Sequence, residues 1–162
     1  MRWRRGDGIP DDEKAALDLG PRERVLAAAR EDAGGWLAAT EQALVGRDLR
    51  LAWSDVGHAQ WLDEERTLVV DLVAPGATGL RARLSDPRRL PEAVHERVMA
   101  SIVVSRRVAV PGVGELRVVG RDDGGRDLVW QVVPDQGVDG SDPDVRRVAA
   151  AAVTQLRGEL GR

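Results

Sequence analysis

The segment LRLAWSDVGHAQWLDEERTLVVDLV, residues 49–73, decides the fold. Leu49, Leu51 and Trp53 alternate with less apolar residues, which is the period of two expected of a half-buried strand. HAQWLD and TLVVDLV are two further strand-like runs, separated by the charged residues 64–66. Such a separation predicts a hairpin. The segment therefore predicts three antiparallel strands in succession.

The same spacing continues on both sides of this segment. On the N-terminal side, turn residues at 32–35 separate RVLAAARE from WLAAT, and the run ALV ends at a second turn at 46–48. On the C-terminal side, LRARL at 80–84 alternates leucine and alanine with arginine. About seven short strands at such close spacing predict a small antiparallel barrel or sandwich.

After residue 85 the period changes to that of helices. Asp86 and Pro87 are typical of a helix start, and Val94, Val98 and Ile102 stand four apart, which predicts a helix over 88–104. At SIVVS, residues 101–105, the β-branched side chains would also suit a strand. Two or three strands follow, and SDPD at 141–144, with Ser141 as the cap, opens a strongly amphipathic helix. The prediction is an α+β protein. It has a lead-in with a short helix over 1–21, a barrel with its capping helix over 22–105, and a β-hairpin with a C-terminal helix over 106–162.

Residues 22–84 resemble the strand series of pleckstrin-homology-like domains of the bacterial and GRAM type. The resemblance rests on the strand start at Glu23–Leu26, the hairpin glycines Gly34 and Gly35, the strand end at Thr40, Leu44, and the corner from Trp53 to Val56. It implies a small barrel whose open end is capped by the helix that follows. This fold hosts lipid binders, peptide binders and inert scaffolds, so it implies no single function.

The whole chain also resembles a family of proteins from high-GC actinobacteria. The shared segments are LPEAVHERVMASIVVSR, residues 90–106, and LVWQVVPD, residues 128–135. This resemblance implies no particular activity.

Composition excludes several classes of function. The net charge is −3 with a pI of about 5.5, whereas nucleic-acid binders usually have a basic excess, so we expect no nucleic acid as a partner. The chain has no cysteine, which excludes disulfides, thiolate metal sites and thiol nucleophiles. It has neither an apolar run of about 20 residues nor the apolar core of a secretory signal. We therefore predict a cytoplasmic protein.

The sequence contains few histidines and serines, two residue types that often act in catalysis. His58 and His95 are the only histidines, and neither has a second ligand at metal-binding spacing, so we predict no metal and no cofactor. No serine stands in a nucleophile elbow. Strand alternation predicts that Trp61 fills the core while His58 faces outward, although a bulge at Gly57 would reverse this. We predict no catalytic residues, and a hydrolase with a scattered His/Ser site remains an alternative.

The leading hypothesis is a non-enzymatic interaction module that binds a protein or peptide partner, or a second copy of itself. The candidate interaction residues are Arg2, Trp3, Arg4, Arg5, Arg88 and Arg89. Binding of an anionic membrane surface through arginine clusters is an alternative. The first hairpin argues against it, because Arg30 is followed there by Glu31 and Asp32, a poor grip for phosphate.

Overall fold

The computed structural model describes residues 7–161 of the 162-residue chain. The chain divides into two compact units, residues 1–100 and residues 101–162. Both combine antiparallel sheets with helices, so the predicted α+β class is confirmed.

The first unit contains a short helix, a four-stranded sheet, a three-stranded sheet and a longer helix. In each sheet the strands are neighbours in chain order and antiparallel. A single turn of 3-10 helix, Trp53–Asp55, leads from the first sheet to the second. The elements are α1 (Asp11–Ala15), β1 (Val25–Arg30), β2 (Trp36–Thr40), β3 (Ala43–Gly46), β4 (Leu49–Ala52), β5 (Val56–Leu62), β6 (Thr67–Leu72), β7 (Leu80–Arg83) and α2 (Leu90–Ala100).

The two sheets and α2 share one apolar core. Leu37 and Leu44 enter it from the first sheet, Leu68 and Val70 from the second, and Val94 from α2, and all five side chains are buried. Burying one such side chain stabilises the fold by about 1.5–3 kcal/mol. The core therefore holds the two sheets and the helix together as one body.

The prediction of a closed barrel is wrong. A barrel needs a continuous hydrogen-bonded ladder around its circumference, whereas the described strands form separate four-stranded and three-stranded sheets. The 3-10 turn at Trp53–Asp55 redirects the chain between β4 and β5, which belong to different sheets. Alternation along each strand does not encode whether two sheets join at such a corner.

The outer face of the first sheet is covered by residues that precede it. Ile9 and Leu17 pack there against Trp36 and Val45 in a second apolar cluster. Strand β2 is consequently buried on both faces, which explains why WLAAT is apolar without alternation. The short helix predicted near the N-terminus is present as α1.

The second unit is a three-stranded antiparallel sheet followed by a helix. Its elements are β8 (Ile102–Val110), β9 (Gly114–Asp122), β10 (Leu128–Pro134) and α3 (Pro143–Leu160), with β9 in the centre of the sheet. Leu116 and Val118 of β9 pack with Val145 and Leu156 of α3 in the core of this unit.

Two helix boundaries differ from the predictions. The helix expected over 88–104 is α2 and ends at Ala100, because the β-branched run at 102–104 pairs with β9 as the start of β8. The cap of α3 is Asp142, which accepts a hydrogen bond of 2.8 Å from the backbone N–H of Asp144. The predicted cap, Ser141, instead donates from its hydroxyl to the Asp139 carboxylate at 2.6 Å.

Candidate functional site

Strand β5 lies at one edge of the three-stranded sheet. It pairs with β6 on one side, and no described strand pairs with its other side. On an edge strand, alternate backbone N–H and C=O groups point away from the sheet, where another chain can bind them. Gly57 already has an interaction of its own, so the stretch of β5 that concerns us is residues 58–62. Helix α2 packs beside this strand.

A groove of about 480 Å³ lies between β5 and α2. We call it the β5–α2 groove. Its apolar lining includes Ala59, Trp61, Pro87 and Pro91. Charged and polar side chains on α2, Glu92, His95 and Glu96, complete one side. A concave apolar surface with a few polar groups is the usual character of a binding site.

A β-bulge at Gly57 determines which residues of β5 face the groove. Val56 pairs with Leu72 and His58 with Asp71, so Gly57 is the extra residue on β5. Because of this residue, buried Val56 and exposed His58 face opposite sides although they stand two apart.

The prediction that His58 faces outward is confirmed, since its side chain is 63% exposed. Trp61 packs against the core but is only partly buried, so it does not fill the core as predicted. Its indole N–H donates to the Asp63 carboxylate at 3.2 Å, and its ring lines the groove. The bulge at Gly57 is therefore present, but it does not turn His58 towards the core.

Sequence reasoning missed the carboxylate beside His58. His58 Nδ1 lies 3.6 Å from Asp71 Oδ2 across the β5–β6 pair, whereas Asp55 and Asp63 were the carboxylates nearest in sequence. Counting back along both strands from the hairpin pair Leu62 and Thr67 places Asp71 opposite His58. The pairing of His58 with Asp71 could therefore have been predicted from the strand register. Both side chains are exposed, and such a pair contributes only about 0–1 kcal/mol.

His95 lies in the groove, but no serine accompanies it. None of the described residues that line the groove is a serine. The Ser85 hydroxyl donates to Asp32 at 2.7 Å and the Ser141 hydroxyl to Asp139, so both have carboxylate partners elsewhere. A pocket that holds a histidine beside a serine would favour the hydrolase alternative, and the described lining of this groove does not bring these two residue types together.

Arg88 lies at the Pro87 end of the groove and is held by several contacts. Its backbone is left-handed, with φ of 51°. Its guanidinium lies 5.6 Å from the centre of the Trp36 ring, and Nη1 donates to the Asp7 carbonyl at 3.3 Å. Arg89 is exposed and lies 3.6 Å from the Glu92 carboxylate. The other predicted interaction residues, Arg2, Trp3, Arg4 and Arg5, lie outside the described residues.

The described arginines of the membrane alternative form clusters at 81/83, 88/89, 106/107 and 146/147, and acidic residues pair with seven of these eight arginines. Their nitrogens lie within 3.6 Å of carboxylate oxygens in seven pairs: Arg81–Glu65, Arg83–Asp32, Arg88–Asp86, Arg89–Glu92, Arg106–Glu159, Arg107–Glu115 and Arg147–Asp144. Paired in this way, these arginines form mixed-charge faces and offer little net positive field.

Within residues 7–161, no group of three or more histidine, aspartate or glutamate side chains is arranged to hold a metal ion. None of the helices in that range is long and apolar enough to cross a membrane. Comparison with family models, curated proteins and solved structures gives no match. The β5–α2 groove is therefore the feature of the described residues from which we infer a function.

Proposed function

We propose that the protein is a non-enzymatic interaction module that binds an extended segment of a protein partner in the β5–α2 groove. The observation that carries this proposal is the edge of β5 at residues 58–62, which pairs with no other described strand on its outer side and lies beside a groove lined by Trp61. The first unit, on this proposal, is a pleckstrin-homology-like domain. Its two sheets of four and three strands, followed by a helix packed on their shared core, support that assignment.

Binding would occur by strand addition. The partner's backbone would form hydrogen bonds with the outward N–H and C=O groups of β5, which supply affinity without regard to sequence. Side chains alternate along a strand, so every second residue of the partner would face the groove. Those residues would meet Trp61 and Pro91, which provide rigid apolar surface at little cost in side-chain entropy.

The size of the groove limits the affinity. A strand of a few residues buries much less surface than a stable protein–protein interface, so we expect a dissociation constant of about 1 μM or weaker. Such affinity suits a transient interaction.

A phage-displayed library of random 12-residue peptides, selected on the full chain, tests the proposal. Selected peptides should bind Trp61→Ala about tenfold or more weakly than the wild type, because a central tryptophan commonly dominates a small interface. Leu26→Ala is the matched control, since Leu26 is an exposed large apolar residue on β1 that is not part of the groove lining. Its affinity should equal that of the wild type.

Backbone N-methylation of a selected peptide separates strand addition from simple apolar contact. N-methyl groups on one alternate set of residues should abolish binding, while those on the other set should be tolerated, because only one set donates to β5. Equal tolerance of both sets, or unchanged affinity of Trp61→Ala, would overturn the proposal.

A further inference from the structure

We infer that the segment bound in the β5–α2 groove is cationic, with an arginine or lysine placed between Trp61 and Glu96. This inference rests on the proposed function and names the chemistry of the partner. Trp61 on β5 and Glu92 and Glu96 on α2 line the same groove, so an aromatic ring and carboxylates are available to one ligand side chain.

The α2 side of the groove carries negative charge. Glu92 and Glu96 stand one helical turn apart and lie on the same face of α2, with Pro91 and His95 beside them. Both glutamates are exposed. Glu92 has Arg89 at 3.6 Å, an exposed pair that neutralises it only weakly, and Glu96 forms no ion pair with any residue in the range 7–161. An incoming cation would therefore find an uncompensated carboxylate at Glu96.

The ring of Trp61 favours the same charge. A guanidinium or ammonium within about 6 Å of an indole ring is attracted to its electron-rich face. The chain already uses this pairing elsewhere, since Arg88 lies 5.6 Å from the centre of the Trp36 ring. An arginine can stack on a ring through its plane while its edge donates to a carboxylate, so Trp61 and Glu96 together suit arginine best.

Arg88 gives the groove a direction. It is the one cation in the described lining and lies near the start of α2, whereas Glu96 lies more than a turn farther along the helix. A cationic residue of the partner is attracted more strongly near Glu96 than near Arg88, whose own positive charge is partly offset by Asp86 at 3.6 Å. The bound segment should therefore place its basic residue at the Glu96 end.

The library selected on the full wild-type chain provides the first test. We expect arginine or lysine to be enriched at one fixed position of the selected peptides. Replacing that residue by glutamine in the best peptide should weaken binding to the wild type about tenfold, and added salt should weaken the parent peptide more than the glutamine peptide.

Charge reversal provides the second test. On Glu96→Lys the parent peptide should lose its advantage over the glutamine peptide, and a peptide with glutamate at that position should bind best. Glu41→Lys is the matched control, because Glu41 is an exposed glutamate in the β2–β3 turn and its reversal changes the net charge equally.

The outcomes separate the two levels of the proposal. Selected peptides that bind through Trp61 but show no basic position, or equal affinities on Glu96→Lys and Glu41→Lys, would overturn the cationic partner and leave strand addition intact. Failure to select any peptide that depends on Trp61 would overturn the proposed function and this inference with it.

Discussion

Glu23 and Thr40, which stand 17 residues apart in the chain, are joined by a hydrogen bond of 2.5 Å from Thr40 Oγ1 to Glu23 Oε1. The Glu23 carboxylate also accepts from the backbone N–H of Gly20 at 2.9 Å and from Arg50 Nη1 at 3.0 Å. Its side chain is almost entirely buried. One carboxylate thus connects the segment before β1, the end of β2 and strand β4.

The stability of the protein should depend on the ionisation of Glu23. Burial raises the pKa of Glu23, but the hydrogen bonds from Thr40, Gly20 and Arg50 outweigh it, so its pKa lies below the ordinary value of 4.5. The unfolded chain therefore takes up this proton at a higher pH than the folded protein. The free energy of unfolding should fall as the pH drops from above 4.5 through the folded-state pKa.

Glu23→Gln isolates this contribution. We expect it to lower the free energy of unfolding by about 1–3 kcal/mol near neutral pH, because it removes the charge from three hydrogen bonds. Urea unfolding at about pH 7 and about pH 3.5 should then show a smaller loss on acidification than the wild type shows. Glu41→Gln, at an exposed position, should behave as the wild type, and an equal acid loss in Glu23→Gln would contradict the assignment.

Thr40→Val tests the other half of this pair. Thr40 is fully buried, and its hydroxyl also accepts from the backbone N–H groups of Gln42 at 3.1 Å and Ala43 at 3.0 Å. Valine has a similar shape but leaves these groups without their partner, at a cost of about 1–3 kcal/mol. Thermal unfolding should show a lower midpoint, whereas Thr154→Val on the exposed face of α3 should shift it little. Equal midpoints for the two variants would show that the hydroxyl of Thr40 contributes nothing.

At Arg88 the backbone and the side chain act in opposite directions. Its φ of 51° favours glycine over any residue with a Cβ, by about 1 kcal/mol, while its guanidinium contacts Trp36 and the Asp7 carbonyl. Arg88→Ala loses the contacts and keeps the backbone strain, whereas Arg88→Gly loses both. Chemical unfolding should therefore give a higher free energy of unfolding for Arg88→Gly than for Arg88→Ala. The reverse order would mean that this backbone conformation is not the one the protein adopts in solution.

In the second unit, Leu156 and Leu160 provide a matched pair on α3. Leu156 is buried in the core with Leu116, Val118 and Val145, whereas Leu160 is one turn farther on and exposed. Leu156→Ala should lower the free energy of unfolding by about 2–5 kcal/mol through lost burial and the cavity left behind. Leu160→Ala should change it by about 0.5 kcal/mol or less. Similar values for both variants would contradict the packing of α3 on its sheet.

Periodicity in the sequence predicted what depends on local pattern. Alternation between His58 and Trp61 predicted that His58 faces outward, and the charged residues 64–66 predicted the hairpin to β6. The bulge at Gly57 keeps this alternation compatible with the burial of Val56.

The sequence left the end of α2 open between helix and strand, because residues 102–104 can adopt either structure alone and only pairing with β9 selects the strand. The resemblance predicted a corner from Trp53 to Val56, and a 3-10 turn lies there. The closed barrel was wrong because β4 and β5, on either side of this corner, belong to different sheets, which depends on how the sheets pack and is not recorded by alternation.

The β5–α2 groove was not predicted for a similar reason. Trp61 and Glu96 stand 35 positions apart, and nothing in either local pattern shows that they line one surface. The predicted interaction residues Arg88 and Arg89 lie at or beside the start of α2, yet the groove's main character comes from Trp61 and the α2 glutamates. Sites built from two elements emerge only once the elements are packed.

Ile9 and Leu17 cover the apolar surface formed by Trp36 and Val45. This packing determines where the protein can be truncated. A fragment that starts at residue 22, the boundary suggested by strand pattern, would leave the outer face of the first sheet as a bare apolar strip beside the edge strand β1. Such a surface promotes aggregation. A fragment meant to stay monomeric at high concentration should therefore keep residues 7–21 in its N-terminal region.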